Sequence, residues 1–166
     1  MMTRIPSNPV QVFRVFPFES CISIAMILVG LGSVFGEVSA AGSMSEALAE
    51  ALLMVWELCI IVGGVGVLAA LFLRPWAARR LPPVRAQRTL ATLRGTQAVG
   101  CVLVATGALT YAMVLLAQGG IRLDGRSFTV AAMLAITAGY VMRAWDLIDT
   151  NRRVLRALRE LNASRP

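Results

Sequence analysis

Four apolar stretches, each closed off by charge, constrain this chain more than any other feature. The first lies between Glu19 and Glu37, and the second follows Glu46 and Glu50 and ends at Arg74. The third lies between Arg94 and Arg122, and the fourth runs from Arg126 past Arg143. A helix that crosses a bilayer needs about 20 mostly apolar residues. The second and third stretches meet that length comfortably. The first and fourth reach it by recruiting residues at their ends, where long Glu or Arg side chains extend toward the head groups. The expected spans are approximately 20–38, 51–73, 97–119 and 127–148. The expectation is an all-α membrane protein, a single membrane domain over 1–166 built as an antiparallel bundle of four transmembrane helices.

Composition excludes the alternatives. Of 166 residues 57% are hydrophobic and 15% charged, with 14 glycines besides. A soluble domain carries about 25% charged residues, and disordered chains are poor in apolar ones. The chain has no His, and all 16 basic residues are Arg. His-ligated haem or zinc, imidazole base catalysis, Schiff-base lysine and a lysine-bearing phosphate loop are therefore excluded. Cys21, Cys59 and Cys101 stand singly in separate stretches, without a CxxC pair. No cofactor, metal site or enzymatic activity is expected.

The arginines set the direction. With the N-terminus inside, fourteen of them fall inside and two, Arg122 and Arg126, outside. The positive-inside rule then places both termini in the cytoplasm, with an even number of spans. A cleaved signal ending at Val38-Ser39-Ala40 is the alternative; the long segment ahead of the apolar run, with Glu19 and three prolines, argues against it. The inner segment 74–94 is expected as a basic loop broken by Pro82-Pro83, with Val84 onward able to start a helix into the third span. Its Arg74, Arg79, Arg80, Arg85 and Arg88 are read as facing anionic lipid head groups; nucleic acid is not expected as a partner. Residues 149–166 are expected to continue the fourth helix into water, with Asp149 and Arg153 paired at i,i+4.

Polar residues inside the spans mark the candidate sites. Glu46, Glu50 and Glu57 share one stripe of the second helix. Such a stripe reads either as an acid-lined surface toward water or a partner, or as an interfacial cap with Glu57 paired to Arg122 or Arg126. Ala131, Ala135, Gly139 and Arg143 follow one another at spacing four, so the guanidinium shares a face with three small residues. Small residues let helices approach closely. That face is expected against Gly32 and Gly36 of the first helix, with Arg143 paired to Glu19 near the inner surface or else extended to lipid. The run Gly63-Gly64-Val65-Gly66 is a further close-packing patch.

A small, Arg-rich, Lys-free chain with four spans and short connections resembles the four-span membrane proteins of actinobacterial phages, including their holins. The likeness is one of layout and composition. Its landmarks are a Glu at the start of span one, VWELCIIVGG in span two, RGTQAVGCVLVATGALTYA in span three and RAWDLI closing span four. The resemblance implies a non-enzymatic protein of the bacterial inner membrane that oligomerises and permeabilises it during lysis. Alternatives are an accessory membrane protein meeting another phage or host membrane protein, as in superinfection exclusion or scaffolding, and a small transporter or channel using the acidic stripe.

Overall fold

The computed structural model describes residues 9–35, 46–119 and 125–163, and every element among them is helical. They are α1 (Pro9–Val15), α2 (Pro17–Phe35), α3 (Glu46–Arg80), α4 (Pro83–Gly119) and α5 (Gly125–Ala163). Prolines do the punctuation. Pro17 disfavours helical geometry at Phe16, which separates α1 from α2, and it then serves as the first residue of α2. The bonds Phe16 N–H to Val12 O and Ser20 N–H to Phe16 O carry the chain across this joint. Pro83 opens α4 in the same way. Pro75, by contrast, lies buried inside α3, and the helix continues past it to Arg79 and Arg80, whose charges suit a helix C-terminus.

The segment 74–94 is accordingly not a loop. Helix continues to Arg80 and resumes at Pro83, so the only interruption is Leu81–Pro82. The expected tail is a direct continuation of α5, which runs unbroken to Ala163.

Neighbouring helices run in opposite directions. Trp56 stacks on Tyr111 and Gly63 meets Gly100 between α3 and α4, while Thr137 reaches the Ala105 carbonyl between α5 and α4. Phe13 meets Phe72, and Gly30 meets Ile60 and Ile61, along α1–α2 and α3. α4 is the central helix, packed on both α3 and α5. Its inward residues are small: Ala98, Cys101, Val104, Ala105, Ala108 and Ala112 are all buried. Large apolar side chains point outward instead, among them Met54, Leu58, Phe128, Met142 and Trp145, each more than 60% exposed. A soluble monomer does not tolerate so continuous an apolar surface; a bilayer requires it. Three helices, Met54–Arg80, Arg85–Leu116 and Phe128–Ala157, are long and apolar enough to cross a membrane, consistent with a multi-pass membrane protein. The first apolar stretch forms a shorter apolar helix, Pro17–Leu31.

Glycines set the spacing where helices touch. A Cβ on Gly63 would stand 2.8 Å from the Gly100 carbonyl oxygen, and one on Gly100 would stand 2.7 Å from the Gly63 oxygen. No side chain fits between these backbones. Gly64, on the opposite side of α3, faces Ser23 and Ile27 of α2. The glycine patch of the second span thus serves two neighbours.

Candidate functional site

One chain of polar groups joins four helices. Arg74 of α3 donates from Nη2 to Oε1 of Gln97 on α4. Gln97 Nε2 donates in turn to Glu19 Oε2 of α2 at 2.5 Å. The other carboxylate oxygen, Oε1, pairs with Arg143 Nε of α5. Arg143 also reaches Asp146 through Nη1 at 2.9 Å. Gln97 is fully buried and Glu19 is 8% exposed. Glu19, the buried charge of the set, is thus paired and hydrogen-bonded, which is what allows a carboxylate to sit in an apolar surrounding, while Asp146 at the edge is exposed.

Flanking contacts hold the geometry. Tyr140, one helical turn before Arg143, is buried, and its hydroxyl shares a 2.9 Å hydrogen bond with Ser23 Oγ. The same hydroxyl lies 3.5 Å from the Glu19 carbonyl oxygen. Tyr140 also leans on Phe18, and the Arg143 guanidinium lies over the Phe16 ring, 5.7 Å from its centroid. Pro17 matters here because the break it causes lets Phe16, Phe18 and Glu19 converge on α5.

Of the residues expected from sequence, Glu19 and Arg143 are brought together. Gly139 meets the Phe18 ring: a Cβ there would lie 3.3 Å from Phe18 Cζ. Ala131 and Ala135 are exposed, so the small-residue stripe of α5 is not a packed seam along its length. Among the described residues, α2 approaches α3 through Gly30. The surroundings of Gly32 lie outside the described residues. Gly36 lies outside the described residues.

Arg74 also departs from expectation. It is half-buried and turned into the bundle toward Gln97, so it does not face lipid, whereas Arg79, Arg80, Arg85 and Arg88 are exposed. Glu57 is half-buried at the other end of the molecule, next to the stacked Trp56. Arg122 and the side chains of Glu46, Glu50 and Arg126 lie outside the described residues. The acidic stripe is therefore represented by Glu57 alone. Among the described residues no group of three metal-ligating side chains occurs, and the three cysteines are free.

No protein-family model, curated protein or solved structure matches this sequence. The holin resemblance thus rests on layout and composition, and the site is interpreted from its own chemistry.

Proposed function

We propose that the chain is a non-enzymatic, holin-like protein of a bacterial inner membrane, with four spans in an antiparallel bundle and both termini cytoplasmic. It accumulates as closed bundles and permeabilises the membrane when bundles associate and open. The observation that carries this reading is the buried chain Arg74–Gln97–Glu19–Arg143. It is a polar surface folded inward within one molecule, with the buried Arg74 Nε left without a partner. Once α2 swings away, the same groups need water or another subunit, and an opened ring of subunits supplies both. The described part of α2, 19 residues, is about 28 Å long, close to the hydrocarbon thickness of about 30 Å. That length supports a fourth span.

Induction in bacteria, followed with a potential-sensitive dye, tests the reading. The expected course is a silent interval and then abrupt depolarisation. Lysis should follow when a lytic enzyme lacking a signal peptide is co-expressed. Glu19→Gln, which weakens the hold on α2, should shorten the interval. A preserved potential with gradual slowing of growth would instead favour an accessory interaction protein. Reporter fusions should place Pro82-Pro83 and the C-terminus in the cytoplasm.

A further inference from the structure

Two cavities lie end to end along one stripe of α4 where it faces α5. The first, of about 670 Å³, is lined by Arg88, Thr92, Gly95, Thr96, Asn151 and Leu155 among others. The second, of about 250 Å³, is apolar and includes Val102, Thr106, Leu109, Val141 and Trp145. Val99 and Val102, three residues apart on α4, and Ile148 and Asn151, three apart on α5, join the two. From Thr96 to Leu109 the groove is about 20 Å long. One end therefore carries a cation and polar side chains, and the other offers hydrocarbon-like walls with two threonines, Thr106 and Thr137.

We infer that this groove is a binding site for one anionic phospholipid, its phosphate at the Arg88 end and one acyl chain laid along the α4 wall from Gly95 to Leu109. Among the described residues Arg88 is the sole formally charged one lining either cavity, and it is exposed. The hydroxyls of Thr92 and Thr96 donate to the carbonyls of Arg88 and Thr92, so their protons are committed to the helix. Donors for a phosphate must then come from Arg88, with the Asn151 amide on the opposite wall. A second copy of the chain is the poorer occupant, since a symmetric contact there would bring Arg88 of two molecules together. The proposal rests on the membrane reading but not on permeabilisation, so it stands or falls separately from lysis.

Gly95 supplies the test. A Cβ built there meets nothing within 4 Å, so Gly95→Leu fills the cavity without disturbing the fold. The full-length protein, purified in mild detergent, is exposed to phosphatidylglycerol and to phosphatidylcholine with the same acyl chains, and retained lipid is counted by native mass spectrometry. Inorganic phosphate, which has no tail, is the third probe. Wild type should retain one phosphatidylglycerol, preferred about tenfold over phosphatidylcholine, as an arginine–phosphate contact implies. Gly95→Leu should lose it while keeping its melting temperature. Arg88→Gln should keep a lipid but lose the preference, and Arg85→Gln, off the groove, should change neither. Equal retention of the two lipids by wild type, unchanged retention by Gly95→Leu, saturation by phosphate alone, or a protein dimer that Gly95→Leu splits would each overturn the assignment.

Discussion

The α3–α4 seam and the attachment of α2 hold helices together by different physics. α3 and α4 meet through Gly63 and Gly100, backbone against backbone, with Gly107 set against Ile60. Lipid tails are as apolar as leucine, so hydrophobicity gains nothing from joining helices within a bilayer; close packing and polar contacts must do it. The seam uses close packing. α2 uses it only toward α3, at Gly30 and Gly64. Toward α4 and α5 it relies on Glu19, Ser23 and two aromatic rings. A packed seam has a fixed distance and no chemical handle. A charged clasp can be undone by supplying its members with water or new partners, and on the proposed function α2 is therefore the movable element.

The largest expected effect comes from removing one member of the clasp. Glu19→Gln leaves Arg143 with Asp146 alone as counter-charge and should cost about 3 kcal/mol, the upper range for a hydrogen bond to a charged group. The double variant with Arg143→Gln should be less destabilised than the sum of the singles by more than 1 kcal/mol, about the lower range for groups in contact. Additive losses in a mild-detergent unfolding assay would remove the clasp from the comparison.

Next in size is the seam. Gly63→Leu forces the two backbones apart and should cost about 1–3 kcal/mol. Unlike the clasp variants, it should show little coupling to Arg143→Gln. Strong coupling would mean that the two regions act as one unit.

A smaller effect is expected at Tyr140→Phe, which removes the hydroxyl facing Ser23 and should cost about 1 kcal/mol. Ser23→Ala added to it should cost little more, because both partners are then gone. The smallest is Arg153→Gln. Its pair with Asp149 is exposed, so the loss should stay under about 0.5 kcal/mol and shrink with salt. A loss above 1 kcal/mol would show that the tail is more enclosed than its surface exposure indicates.

Much of the helical layout was legible because apolar length and bounding charge are one-dimensional signals. Glu19 and Arg143 could be matched because each was a lone charge near the same end of the bundle. Gln97 could not. An uncharged amide among Gly, Thr and Ala gives no pattern, and its role depends on depth and rotation about α4, which periodicity does not encode. Arg74 was misread for a related reason: an arginine at a span's end looks the same whether it reaches for lipid or for a buried amide. Proline, as a breaker, was legible at Pro82-Pro83 but not at Pro75, where surrounding packing keeps the helix intact.

The unbroken α5 turns a local event into a distant one. With 39 residues it is about 58 Å long, roughly twice the thickness of the hydrocarbon layer. Arg143 lies near its middle, with twenty residues of helix beyond it to Ala163. Such a rod has no hinge between clasp and far end. A tilt of about 10° at Arg143 would carry the end of the tail sideways by about 5 Å, given 1.5 Å of rise per residue. The tail is in this sense a pointer, and whatever grips it from the aqueous side gains leverage on the Glu19–Arg143 contact.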